Sequence, residues 1–135
     1  MIGKKDIYHP AKEERNNQQL YKCSCEQYPE LFEDLIITGC HSILVYRFID
    51  SVQRQNVIGA IGKIYSTDGR LRLPACADLR ASVYEESGTY CIYHLALKND
   101  DRLGNYGIWA NGLLVESCSK RYLEELSGMQ ITRLE

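Results

Sequence analysis

The stretch DLIITGCHSILV, residues 34–45, decides the fold of this chain. It holds two short runs rich in β-branched residues, 34–38 and 42–45, separated by a glycine at position 39. Runs of this length and composition are typical of strands, and a glycine between them allows a sharp corner. The stretch therefore predicts two strands that meet at a corner formed by residues 38–41.

Apolar runs divided by turn residues continue on both sides of this stretch. Asp68-Gly69 and Asn111-Gly112 are dipeptides that favour tight hairpins. Polar composition predicts an irregular lead-in over residues 1–19 and a loop over residues 50–57. Predicted strands cover residues 20–23, 34–38, 42–45, 58–65, 71–77, 90–97, 106–110 and 113–115, with a turn at 99–101.

Residues 119–128 predict a helix at the C-terminal end. Ser119 can cap its first turn, and a glycine at 128 can end it. Its apolar face would consist of Tyr122, Leu123 and Leu126. We therefore predict a mostly β protein of many short strands with one C-terminal helix, and such strands favour a barrel or a sandwich.

Composition limits the function classes. The 135 residues, 44% hydrophobic and 25% charged, indicate one globular domain over 1–135. The net charge of −2, without a basic block, argues against a nucleic-acid-binding protein. No apolar run is long enough to span a bilayer, and the first residues do not form a signal peptide. We therefore expect a cytoplasmic protein without a membrane partner.

Six cysteines lie at positions 23, 25, 40, 76, 91 and 118, and no CxxC pair occurs. In a reducing compartment, free thiols packed as small apolar side chains are the simplest interpretation. Only Cys23-Ser24-Cys25 and Cys40-His41 approach the spacing of zinc ligands, so the sequence predicts no metal and no cofactor.

Two side chains suited to acyl chemistry stand next to predicted strands. His41 follows Thr38 across the glycine corner, where an imidazole can protonate a leaving amide nitrogen and a hydroxyl can stabilise an oxyanion. Cys118 follows strand 113–115, and a helix beginning just after it would lower the pKa of its thiol. The simpler alternatives are a structural histidine and a packed cysteine.

Residues 38–45 resemble the TxxH block of the Hint superfamily, the self-processing domains of inteins and hedgehog proteins. Residues 93–95 and 106–115, with their aromatic strand and Ala-Asn-Gly run, resemble that family's C-terminal block. The version here is most similar to Hint-like domains of giant DNA viruses. The similarity extends from about residue 20 to the C-terminal helix, and it implies a Hint-like compact β fold.

The resemblance implies an N–S acyl shift, in which a cysteine attacks the preceding peptide carbonyl to form a thioester. Thr38 and His41 match the residues that strain and protonate the scissile amide. His94 matches a position that often carries aspartate in the family, and Cys118 matches the nucleophile that follows a splice junction. The candidate catalytic residues are therefore Thr38, His41, His94 and Cys118.

The chain departs from the family pattern at both ends. It has no N-terminal nucleophile block, so we expect a domain truncated at its N-terminus that is incomplete by itself. Its partner would be an upstream segment, a fused protein or a second polypeptide. Glu116-Ser117 replaces the usual His-Asn pair, and serine has no side-chain amide to cyclise, so full splicing is not expected.

Two other interpretations remain open at this point. The first is a non-catalytic interaction or structural module that uses the same fold. The second is a zinc-binding domain in which Cys40, His41, His94 and Cys118 hold the metal.

Overall fold

The computed structural model describes residues 1–98 and 101–133. Its longest helix is α1 (Ser51–Ile61), and a short helical segment spans Tyr122–Leu126. The strands are β1 (Ile2–His9), β2 (Leu20–Cys23), β3 (Leu35–Thr38), β4 (Ser42–Val45), β5 (Ser66–Thr67), β6 (Arg70–Pro74), β7 (Ser82–Val83), β8 (Gly88–Leu95), β9 (Gly107–Ala110), β10 (Leu113–Glu116) and β11 (Gln130–Thr132).

These strands form three antiparallel sheets, which confirms the prediction of a mostly β fold. Their orders are β11-β1-β8, β5-β6-β4-β10-β9 and β3-β2-β7. The strands on either side of the 38–41 corner do not pair with each other, because β3 belongs to one sheet and β4 to another. The largest core cluster, which includes Tyr21, Ile37, Ile43 and Val115, joins these two sheets.

Both predicted hairpins are confirmed. Asp68 and Gly69 have φ of 51° and 73°, and Asn111 and Gly112 have φ of 51° and 97°. Two successive residues with positive φ match the right-handed twist of the strands that they connect. The predicted turn at 99–101 cannot be compared, since residues 99 and 100 lie outside the described part of the chain.

The lead-in predicted for residues 1–19 is wrong over its first half. Strand β1 lies between β8 and β11, in the middle of its sheet. Its inward positions include Gly3 and His9, both buried, instead of large apolar side chains. His9 is a satisfied structural histidine, because Nε2 donates to the Tyr84 carbonyl and Nδ1 accepts from the Leu20 amide. The usual alternation of apolar and polar residues is therefore missing.

The loop predicted at 50–57 and the strand at 58–65 are also wrong, because helix α1 occupies most of this region. Asp50 caps it by accepting a hydrogen bond from the Gln53 amide, and Gly62, with φ of 89°, ends it. Gln53 in turn accepts from the Ile49 amide. Only Gln53 and Val57 of the helix are buried, so it has almost no apolar face to detect.

The predicted C-terminal helix is shorter than 119–128. Ser119 does accept a hydrogen bond from the Tyr122 amide, and Gly128, with φ of 67°, follows the helical segment. The Ser127 amide bonds to the Tyr122 carbonyl, five residues back, so the segment is π-helical. Of its predicted apolar face, only Leu123 is buried.

None of the helices in residues 1–98 and 101–133 is both long and apolar enough to cross a membrane.

Candidate functional site

The 38–41 turn is held by its own backbone and by two neighbouring segments. The His41 amide bonds to the Thr38 carbonyl at 3.0 Å, and the Gly39 amide bonds to the Gln19 carbonyl at 2.8 Å. A Cβ at Gly39 would lie 2.7 Å from the Asn16 carbonyl oxygen and 2.9 Å from the ring of Tyr21. Only glycine fits at this position, because the turn is packed directly against residues 16, 17 and 21. This packing and the backbone hydrogen bonds hold His41 in a fixed position.

Arg15 supports this turn indirectly, by holding the segment 75–81 that bonds to it. Its guanidinium donates to four backbone carbonyls between residues 75 and 81, at 2.6 to 3.2 Å, and it stacks on the ring of Tyr21. The same segment returns two bonds to the turn, from the Ala75 amide to His41 and from the Cys76 amide to Gly39. No local pattern in the sequence identifies Arg15 as a support for this site.

Three of the four predicted site residues come together from separate strands. His94, on β8, lies with its ring centroid 5.3 Å from that of His41. Its Nδ1 is 2.8 Å from Cys118 Sγ. The Cys118 amide bonds to the Leu95 carbonyl at 2.8 Å, which places the thiol at the end of β8. The site therefore contains two imidazoles and one thiol in a row.

Thr38 lies near the site but not against the thiol. Its hydroxyl is 3.8 Å from Cys40 Sγ. It lines a cavity together with both histidines, whereas Cys118 lines a different one. Thr38 therefore borders the larger cavity, and its hydroxyl is near Cys40, which lines the cavity of Cys118.

The two histidines separate two cavities. The smaller, about 250 Å³, contains the thiol side of the site and is lined by Cys40, His41, His94, Asn105, Glu116, Ser117, Cys118, Ser119 and Tyr122. The larger, about 450 Å³, is mainly apolar and is bordered by strands β3, β8, β9 and β10. A substrate could therefore reach the imidazoles from either side.

Burial keeps both imidazoles neutral near pH 7. It lowers the pKa of His41 to about 4, with a further contribution from the neighbouring His94. Burial and the Lys5 ammonium also lower the pKa of His94. In the described part of the chain, His41 Nε2 is buried without a hydrogen-bond partner. This nitrogen is thus available to take up or release a proton.

The expected lowering of the Cys118 pKa is wrong. Burial, with contributions from Glu116 and Cys40, raises the pKa of the thiol to about 12. The helical backbone that follows, from residue 120 to residue 126, is too short for its N-terminus to offset this burial. Cys118 and His94 therefore rest as a neutral thiol and a neutral imidazole, and the thiol must lose its proton during any reaction.

Glu116 is a component of the site that sequence reasoning did not assign. It lines both cavities, and its Oε2 lies 2.9 Å from Arg72 Nε. The N–H of that nitrogen points to Thr67 Oγ1 at 2.7 Å, so the pair is held by charge and not by a hydrogen bond. Burial raises the pKa of Glu116 in spite of this cation. In the sequence, Glu116 is an ordinary polar residue at the end of an apolar strand, so its position gives no sign that its carboxylate is buried in the site.

The zinc interpretation finds no support in the arrangement of ligands. Within residues 1–98 and 101–133, no three side chains of histidine, cysteine, aspartate or glutamate are grouped so that they could hold a metal. All six cysteines are free thiols, of which Cys23 is fully buried and Cys25, Cys40 and Cys91 are exposed. The expectation that these thiols pack as small apolar groups therefore holds for only some of them.

Neither a protein-family model, nor a curated protein, nor a solved structure is significantly similar to this chain. Function must therefore be argued from the side chains described above.

The buried imidazole of His41 predicts a pH dependence of stability. The unfolded chain binds this proton near pH 6.5, whereas the folded chain binds it only near pH 4. The neutral imidazole thus supports the fold above pH 6.5, and this contribution is lost as the pH falls towards 4. The difference corresponds to about 3 kcal/mol at most.

Urea denaturation between pH 4 and 7 measures this effect. Other groups also titrate in this range, so the comparison is with the His41→Gln variant, which has no imidazole at this position. We expect the free energy of unfolding of the unsubstituted chain, relative to that of His41→Gln, to fall as the pH falls from 6.5 to 4. Parallel curves would contradict the burial of a neutral His41.

Proposed function

We propose that the chain is a Hint-type self-processing domain that promotes an N–S acyl shift at a cysteine placed at the start of β1. The observation that carries this proposal is the 2.8 Å contact between His94 Nδ1 and Cys118 Sγ, with the His41 ring beside it. A thiol next to an imidazole is the arrangement that acyl transfer through a thioester requires.

The start of β1 lies beside the end of β8 that carries the site. The Met1 nitrogen lies 2.9 Å from the Ala96 carbonyl oxygen, and Ala96 forms a β-bridge with Cys118. Met1 and Cys118 therefore flank the same end of β8 on its two opposite edges, about 10 Å apart at two strand spacings. A segment ahead of residue 1 would leave β1 at the end of β8 where the thiol lies.

In the proposed step, the thiol of a cysteine at position 1 attacks the carbonyl carbon of the residue before it. The C–S bond forms, the C–N bond breaks, and the proton of the thiol passes through an imidazole to the leaving amine. His41 suits this transfer, because it is neutral and its Nε2 has no hydrogen-bond partner among the described residues. The hydroxyl of Thr38 would stabilise the oxyanion.

Cys118 and His94 would act in the second step. The Cys118 thiol attacks the thioester while His94 takes its proton, and the proton then returns to the departing thiolate. The acyl group is thereby moved to Cys118, from which water or an added thiol can release it. Because Ser117 has no side-chain amide to cyclise, the reaction would end in cleavage and not in splicing.

Intact mass spectrometry tests the proposal. A reporter domain is fused ahead of the chain with Met1→Cys at the junction, and the fusion is incubated with and without dithiothreitol. We expect a thiol-dependent loss of the reporter's mass, and no loss from the matched fusion that keeps Met1. A folded Met1→Cys fusion with unchanged mass would refute the proposed activity.

A further inference from the structure

Strand β8 has one unpaired edge. It pairs with β1 over its whole length, and it is the outermost strand of its sheet. Backbone groups of successive residues in an antiparallel pair point alternately towards and away from the partner. Ala96 bonds to Met1 and so faces β1, whereas the Leu95 carbonyl bonds to Cys118 on the opposite side.

The same alternation extends back along the strand. The N–H and C=O groups of Thr89, Cys91 and Tyr93 therefore point away from β1, towards the open edge. In the part of the chain that the structure describes, no strand pairs with this edge. It thus presents three donors and three acceptors in a regular row.

The composition of β8 is unusual for an exposed edge. Its sequence, GTYCIYHL, contains no lysine, no acidic residue and no proline. Proteins usually place such residues on exposed edges to prevent pairing with another chain. An uncharged edge of eight residues is therefore a template for an added strand.

The larger cavity lies along this edge. It is lined by consecutive residues of β8, from 90 to 95, and by consecutive residues of β3, from 35 to 38. Side chains alternate between the faces of a strand, so consecutive lining residues mean that the backbone edge itself borders the cavity. β3 is likewise an outermost strand of its sheet, and side chains of Ile108 and Val115 provide an apolar floor.

The edge leads directly to the reactive groups. Cys118 occupies the outward position beside Leu95, at the end of the row. A strand paired with Thr89, Cys91 and Tyr93 would therefore end next to the thiol and to His94.

We propose that this groove binds an extended polypeptide segment as an added β-strand, and that this segment belongs to the substrate whose acyl group is transferred. The identity of the substrate as a polypeptide acyl donor rests on the proposed function. The open backbone row requires a backbone partner, the mainly apolar walls, in which Glu116 is the one acidic side chain, favour apolar or neutral side chains, and the row ends at the acceptor thiol. These features together select an extended peptide.

NMR titration of the chain tests the groove without any chemistry. The probe is a blocked hexapeptide of alternating threonine and valine, which has strong strand propensity and no charge. We expect the amide signals of Thr89, Cys91 and Tyr93 to shift and to gain protection from hydrogen exchange. Unchanged signals at these residues, at millimolar peptide, would overturn the proposal.

Cys91→Pro provides a specific block. Proline removes the outward N–H of residue 91, and an edge strand tolerates it because no bond to β1 is lost. We expect about tenfold weaker peptide binding than in the matched Cys91→Ala variant, which keeps the N–H. Tyr93→Lys, which keeps every backbone group and adds a charge, should also weaken binding if Cys91→Pro does not fold. Equal binding by these variants would refute pairing along the edge.

Other results separate this proposal from the proposed function. Protection of the three amides that rises with protein concentration, without peptide, would assign the edge to a second copy of the chain and overturn the substrate proposal. If the peptide binds but the Met1→Cys fusion is not cleaved, the groove is a peptide-binding site and the proposed acyl shift is refuted. If the fusion is cleaved but the peptide does not bind, the acyl shift stands and the groove proposal is refuted.

Discussion

Replacing His41 by alanine is expected to slow thiol-dependent cleavage of the Met1→Cys fusion by about two to four orders of magnitude, the usual contribution of a general acid–base group. The imidazole of His41 has the one site nitrogen that is buried and without a partner among the described residues. His94 cannot simply replace it, because its Nδ1 is already bonded to Cys118. The measurement is the rate of reporter release, followed by intact mass.

The control must separate chemistry from folding. Tyr46, at the far end of β4, is 81% exposed, and Tyr46→Ala should leave the cleavage rate unchanged. The free energy of unfolding of His41→Ala is measured in parallel, so that the rate is compared only under conditions where both proteins are folded. Cleavage at an unchanged rate in folded His41→Ala would rule out the assigned role.

Replacing Asp78 by alanine is expected to lower the free energy of unfolding by about 2–3 kcal/mol, the cost of leaving a buried hydroxyl without its charged acceptor. Asp78 is 1% exposed. Its carboxylate accepts a hydrogen bond from the Tyr28 hydroxyl at 2.8 Å and pairs with the Arg80 guanidinium at 2.9 Å. Alanine would leave the hydroxyl of a fully buried tyrosine without a partner and would remove the carboxylate that pairs with the partly exposed Arg80 guanidinium.

Urea denaturation followed by circular dichroism measures this loss. Glu26→Ala is the matched control, because it removes an exposed carboxylate and should change stability by about 0.5 kcal/mol or less. A loss below about 1 kcal/mol for Asp78→Ala would mean that water replaces the carboxylate, and that the group is not closed to solvent.

The sequence predicted the strands that carry a strong local pattern. β3 and β4 have β-branched runs, and both hairpins have Asp-Gly or Asn-Gly, so local propensity and tertiary packing agree there. Strand β1 was missed because Gly3 and His9 occupy inward positions and are accommodated by neighbours that are distant in sequence. Helix α1 was missed because it buries only two residues, although Asp50 followed by Gln53 is a helix-start signal that could have indicated it.

The candidate site also has features that the sequence predicted and features that it did not. The candidates His41, His94 and Cys118 were named together only through the family resemblance, because they lie far apart in the chain, and the fold brings their side chains next to one another. The predicted lowering of the Cys118 pKa was wrong, because it was based only on the helix that follows in the sequence. Burial of the thiol depends on the whole fold, and it raises the pKa. Glu116 and Arg15 were not assigned, since their importance comes from contacts with segments that no sequence window contains.

The site draws its groups from three segments that are far apart in the chain, and this fixes when chemistry can occur. During synthesis, His41 emerges long before Cys118, and β1 can pair with β11 only after residue 132 has emerged. A partly made or misfolded chain therefore holds the thiol, the imidazoles and the scissile bond apart. Under the proposed function, cleavage requires that this domain has folded. Release of the product would therefore report that folding came first.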